Sequence, residues 1–305
     1  MLRRRLSSNA RRRGWPVVVV AVAVLGVAGC SASPTAKSPV TGATTSPPSK
    51  QSAPSLSGAQ AALMAAKVGV EAFGSADCAR LDEWERAALA VTTDFAAQRV
   101  RESRYMYAES PDLCPGRGAV TVTKMGFTSR SGSQATVVVA ESVRVRGKAP
   151  APFAEQVVVE QVAGRWLLGQ DSESRPPLSG DISWAGPALG AAMQSADAGA
   201  AAMYAPSATG SPPRGVELYG AAAGKYAVTQ QALRHWMTTS DTKHVTAGVL
   251  ALGVELPPTA NPVILVAVGI SDDEHPGNGE QAILQLTMTH VGAGWGIANY
   301  TEQIV

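Results

Sequence analysis

Apolar positions along this chain follow two kinds of pattern, and each kind occurs twice in the same order. Residues 59–74, "AQAALMAAKVGVEAFG", form a helical stretch rich in Ala and Met. In "ARLDEWERAALAV" (79–91), Leu81, Trp84, Ala88 and Val91 recur three or four apart, the spacing of one helix face. "TTDFAAQRVRESRYMYAES" (92–110) opens on a Thr that can cap it and predicts a third helix. The period then shortens. "AVTVTKMGF" (119–127), "QATVVVAESVRVR" (134–146), "FAEQVVVEQV" (153–162) and "RWLLGQ" (165–170) are β-branched and partly alternating, which predicts four strands. The links "TSRSGS" and "AG" are short and carry Gly or Ser, as hairpins require.

A polar stretch with two prolines, "SESRPPLSGD" (172–181), interrupts the pattern. Helical spacing then resumes in "AGPALGAAMQSADAGAAAMYA" (185–205) and "VELYGAAAGKYAVTQQALRHWM" (216–237). Four further strands are predicted at 244–256, 263–270, 281–291 and 295–304. The two halves echo one another in detail. "VAGRW" closes the first and "VGAGW" the second, placing Trp166 and Trp295 129 residues apart, and "ATVVVA" (135–140) and "ILVAVG" (264–269) share that offset. One order of elements repeated at a near-constant offset predicts a tandem repeat of a single α+β unit. The expected layout is a first domain at 59–172, a linker at 173–184 and a second domain at 185–305.

The first residues change the picture of charge. Arg3, Arg4, Arg5, Arg11, Arg12 and Arg13 precede an apolar run from Val17 to Gly29, with no acidic residue between. That run is shorter than the roughly 20 residues of a spanning helix and fits a signal peptide at 1–29. Its end, "LGVAGC", resembles a bacterial lipoprotein signal, with Val27, Ala28, Gly29 and Cys30 in the order aliphatic, small, small, cysteine. The resemblance implies cleavage before Cys30, thioether lipidation of its thiol and acylation, with palmitate for instance, of the new amine. Two or more acyl chains anchor stably where one is marginal, so the implied location is the extracytoplasmic face of the cell membrane. Ser31 to Gly58, rich in Ser, Thr and Pro, predicts a disordered tether with a reach of roughly 30 Å as a coil. Removing the six arginines leaves 20 basic against 24 acidic residues, a net charge near −4. A mildly acidic exported chain without a Lys/Arg cluster argues against nucleic acid as a partner. The two remaining cysteines, Cys78 and Cys114, predict one disulfide in that oxidising compartment.

Helices followed by strands that close on a Gly-x-Trp hairpin (Gly164–Trp166; Gly294 and Trp295) resemble the nuclear-transport-factor-2-like, or cystatin-like, fold. The resemblance implies an α+β chain of two tandem domains of this kind, each with helices packed on a bent four-stranded antiparallel sheet. It also implies a cone between helices and sheet that can hold a small ligand or, in some enzymes, an Asp–His pair. Tandem domains of this type look like the extracytoplasmic part of conjugation proteins, which usually carry a spanning helix where this chain has its cysteine.

Candidate chemistry is sparse. Alternation places His290 on the face of Leu284, Leu286 and Met288, with Asp94 or Asp82 as conceivable partners, and it is the one candidate base on an inward strand. Trp166, His290 and Trp295 are the candidate pocket residues, with both tryptophans also candidate core anchors. Asp272, Asp273, Glu274 and His275 lie consecutively on a turn, a poor arrangement for a metal, and "SDTK" (240–243) lacks the other motifs of a serine acyltransferase. No metal, cofactor or catalytic set is expected. The sequence thus predicts a membrane-anchored, non-catalytic module for an envelope protein partner, with a ligand-binding or enzymatic cone, or a component of a conjugation or secretion machinery, as the alternatives.

Overall fold

A computed structural model describes residues 56–144, 149–172, 185–207, 211–212, 216–239, 244–272 and 280–304. The signal segment, Cys30, the tether to residue 55, the linker 173–184, the 240–243 stretch and residues 273–275 lie outside the described residues. In chain order the elements are α1 (Leu56–Gly74), α2 (Leu81–Leu89), α3 (Asp94–Glu109), β1 (Val120–Ser131), β2 (Gln134–Val143), β3 (Ala151–Val162) and β4 (Arg165–Ser172). They continue with α4 (Gly186–Tyr204), α5 (Gly220–Thr239), β5 (Val245–Val254), β6 (Val263–Asp272), β7 (Glu280–Val291) and β8 (Gly294–Ile304). Every stretch read from periodicity as helix or strand is that element, with ends shifted by a few residues.

The eight strands form one antiparallel sheet in the order β4-β3-β2-β1-β5-β6-β7-β8. Each group of four is a meander, and the groups meet where β1 and β5 pair at Phe127 and Val254. One face of each group is covered by its own helices. In the first group α1 lays Ala62, Leu63, Ala66 and Val70 against Val137, Val139, Val157 and Leu168. In the second, Ala192, Met193, Ala196 and Ala200 of α4 meet Val266, Leu284, Leu286 and Ile297. The opposite faces meet each other. Val138, Ala140 and Ala154 form one buried cluster with Ala251, Leu265, Ala267 and Ile283. Because β3 and β7 are not neighbours in the sheet, these contacts require the sheet to fold over at the β1–β5 junction. The amide side chain of Gln281 fixes the fold-over, accepting from Ala154 N at 3.0 Å and donating to Ala154 O at 2.8 Å.

The two halves reuse the same devices. Residues 61–70 and 191–200 are buried and exposed in the same order, position by position. Gly69 and Gly199 are matching points of close approach of helix to sheet. A Cβ at Gly69 would lie 2.5 Å from Leu168 Cβ, and one at Gly199 would lie 2.5 Å from Ile297 Cδ1. Both sheet edges are sealed alike. Thr93 N donates to Leu168 O and Leu168 N to Val91 O, while Tyr219 N donates to Ile297 O and Ile297 N to Glu217 O. Covering an edge strand removes the unpaired amides that would invite another chain. Two amides of β1 are satisfied by α1 and the residue after it: Val120 N donates to Ser75 Oγ at 3.0 Å, and Val122 N donates to Glu71 Oε1 at 3.0 Å.

Under α2 lies a smaller cluster of Ala76, Trp84, Ala88, Val100 and Cys114. Trp84 Nε1 donates to Ala72 O at 2.8 Å, tying α2 to α1. Cys78 and Cys114 are at bonding distance, S–S 2.09 Å, and join the α1–α2 turn to the residue that ends the short 3-10 turn after α3.

Candidate functional site

Helix α1 has more apolar side chains than one packed face can use. Its buried stripe is Ala62, Leu63, Ala66 and Val70, but Ala61, Met64, Ala65 and Val68 form a second stripe at i, i+3, i+4, i+7 spacing. This second stripe is one wall of a groove of about 410 Å³. The opposite wall is the tip of the β3–β4 hairpin, Gly164 to Leu167, and Val91 closes the end beyond α2. Met64 is 53% exposed and Val68 44%, so the groove is open along its length. Arg130 of β1 and Arg165 of the hairpin add positive charge. The Arg130 guanidinium lies over the Trp166 ring at 5.3 Å, and its Nε donates to Gly132 O at 3.2 Å. Arg165 Nη2 donates to Ala90 O at 3.4 Å. Among the described residues neither arginine forms an ion pair. The nearby carboxylates are engaged elsewhere: Glu160 accepts from Gln134 Nε2 at 2.7 Å and shares a hydrogen bond with Asp94, which with burial raises its pKa.

The second half provides an internal control. Displaced by 130 residues, the positions of Met64 and Ala65 carry Gln194 and Ser195, and that of Val68 carries Ala198. The fold therefore does not need an apolar outer stripe on its first helix; only the first half has one. The sequence alone marks α1 as a helix rich in Ala and Met. It could not separate the packed stripe from the open one, because that depends on where the hairpin lands.

The candidate pocket residues lie in separate halves. Trp166 is on β4 and Trp295 on β8, at opposite edges of the eight-stranded sheet. Each packs half-buried against its own half's core. His290 does not point into the core with Leu284, Leu286 and Met288. It is exposed, because β7 passes out of the helix-covered region after Met288, and it meets the Trp295 ring edge-on at 5.3 Å across the hairpin. Asp94 and Asp82 are exposed residues of the first half, with Asp82 bonded to Arg104 at 2.5 Å. No His–Asp pair forms from these residues. His235 and His244 are exposed at the end of α5 and before β5, and Tyr107 packs on Trp84 at 5.9 Å while Tyr105 projects into solvent.

Two buried polar groups escape sequence reasoning. Glu141 of β2 is 6% exposed and Gln156 of β3 is 3% exposed, and Glu141 Oε2 and Gln156 Nε2 have no hydrogen-bond partner. Alternation sets Glu141 on the helix side with Val137 and Val139, opposite Val122 and Phe153. Burial pushes its carboxyl from 4.5 to about 7. The folded chain then holds a proton that the unfolded chain has lost between those values. Stability should be greatest below pH 4.5, as far as this group is concerned, and fall until about pH 7. Glu141→Gln is expected to flatten that slope and to raise unfolding stability above pH 7 by on the order of 2 kcal/mol. Denaturant titrations at a series of pH values test this, and a variant that keeps the slope would assign it to another group.

Comparison with known proteins adds little. No family model matches the chain, and no curated protein does. One solved structure, described as an Ntf2 like protein involved in plasmid conjugation, is 13% identical, spans 82% of this chain and 97% of its own, and superposes with a TM-score of 0.28. An overlap that slight carries no role from one protein to the other.

Proposed function

We propose that this chain is a lipid-anchored protein of the extracytoplasmic membrane face that binds a partner protein and catalyses no reaction. On this reading its halves are two NTF2-like units derived from one. The observation that carries the binding role is the groove between α1 and the β3–β4 hairpin, with Met64 and Val68 more than two-fifths exposed. An open apolar stripe costs solubility and is absent from the matching positions of the second half, which marks it as an interaction surface rather than a by-product of the fold. The matched helix–strand contacts at Gly69 and Gly199 and the matched edge seals support the derivation of both halves from one unit. Among the described residues no helix is long and apolar enough to cross a membrane, so on this reading attachment rests on Cys30.

Two measurements test the proposal. Cys30→Ala is expected to abolish incorporation of labelled fatty acid and to release the protein from membranes; unchanged membrane retention would defeat the anchor. A photo-crosslinking residue at position 64, in the full chain in its own membranes, is expected to give a discrete protein adduct. The same residue at position 194 is the control. Equal yields from both positions, or none from either, would remove the groove from the argument.

A further inference from the structure

The groove's shape and charge restrict what can occupy it. Ala61, Met64, Ala65 and Val68 are spaced as the ridge of a helix that receives a second helix, and the two alanines let a partner backbone approach closely. Met64 can adjust its rotamer to the partner's side chains, as unbranched thioethers do at adaptable surfaces. An enclosed small-molecule site would cover most of its ligand, whereas here Met64 is half open to solvent. Arg165 of the hairpin and Arg130 of β1, stacked on the hairpin's Trp166, have no carboxylate partners among the described residues. The Arg130 guanidinium carbon lies 5.3 Å from the centre of the Trp166 ring, which lines the groove.

On the reading that this surface binds a protein, we propose that its occupant is an amphipathic helix of that partner, acidic along its flanks. The helix lies along α1 with its apolar side chains between Met64, Val68 and Trp166. Its carboxylates meet Arg130 and Arg165. The apolar contact supplies most of the affinity, and the arginines set orientation and exclude basic helices.

The test uses the full-length protein in zwitterionic nanodiscs, with empty nanodiscs as background, and two synthetic helical peptides. The peptides share one apolar stripe of Leu and Met at i, i+3, i+4 and i+7; one has Glu at the flanking positions and the other Lys. The Glu-flanked peptide is expected to bind about five- to tenfold more tightly at low salt, with the preference fading as salt screens the two rim charges. Arg130→Gln with Arg165→Gln should erase the preference while leaving apolar binding. Met64→Gln with Ala65→Ser, which copies the second half, should weaken both peptides. Equal binding of the two peptides, a preference for the Lys-flanked one, or binding of neither overturns the acidic-helix assignment. A protein adduct from position 64 in that case leaves the protein-binding role standing, with an occupant of another kind; loss of the adduct as well removes both.

Discussion

Gly126→Ala is expected to destabilise the protein by about 3 kcal/mol or more, the upper end of overpacking, although the substitution adds one methyl group. At the junction of the two strand groups, β1 and β5 cross with their backbones in contact. A Cβ at Gly126 would lie 2.5 Å from Gly253 O, and a Cβ at Gly253 would lie 2.5 Å from the Gly126 carbonyl carbon. The obstacle is backbone on both sides, so no side chain can swing away. The strands would have to separate, which would strain the Phe127–Val254 pairing and the hydrogen bond from Thr128 Oγ1 to Leu252 O at 2.5 Å. It would also loosen the cluster in which Val138 and Ala154 face Leu265 and Ile283. Gly253→Ala should cost a similar amount. The double variant should cost less than the sum, because strands already parted by the first methyl accommodate the second more easily. Gly224→Ala is the control: nothing lies within 4 Å of its Cβ, and in a helix interior the change should stabilise slightly. Denaturant midpoints for the four variants decide the matter. A Gly126→Ala protein within about 0.5 kcal/mol of the parent, the scale of an ordinary surface substitution, would show that the crossing is not close in solution.

That junction also shows where sequence reasoning stopped. The period of apolar residues revealed each helix and strand, because burial on one face imposes it locally. The echo of "VAGRW" in "VGAGW" revealed that the strand groups end alike. Neither could reveal that the two groups share one sheet, since a single ladder pair and two glycines make the join. A glycine inside a strand is equally consistent with a bulge, a bend or a close approach. His290 was misplaced for a related reason: alternation gives the face a residue belongs to but not where the covering helix ends. Glu141 and Gln156 were passed over because charged and amide residues in a strand ordinarily mark its solvent face. The groove was half visible. The Ala- and Met-rich composition of α1 was legible, but the hairpin that makes its outer stripe a groove is nearly a hundred residues away in the chain.

Removal of the Cys78–Cys114 bond, by reduction or by replacing both cysteines with alanine, is expected to lower stability by about 3–4 kcal/mol, the chain-entropy value for a loop of this length. The two cysteines are 36 residues apart, and the loop between them contains α2 and α3. Outside this loop they are held by Ala96 of α3 in the main core and by the bonds of Val91 and Thr93 to Leu168. Their shared core is the small cluster around Trp84, and the ion pair of Arg104 with the exposed Asp82 adds little. Hydrogen exchange should therefore quicken most in α2, α3 and the turn at 75–80, while β5 to β8 keep their protection. The effect should reach the groove. Val91 closes its end and Ala90 O holds Arg165, and both follow directly from α2. The reduced protein should thus give a weaker adduct from position 64 under conditions where most molecules remain folded. If reduction leaves stability within about 1 kcal/mol of the oxidised protein, well short of the value for the loop, packing around Trp84 alone secures the two helices. The groove then stands independently of the redox state of the compartment.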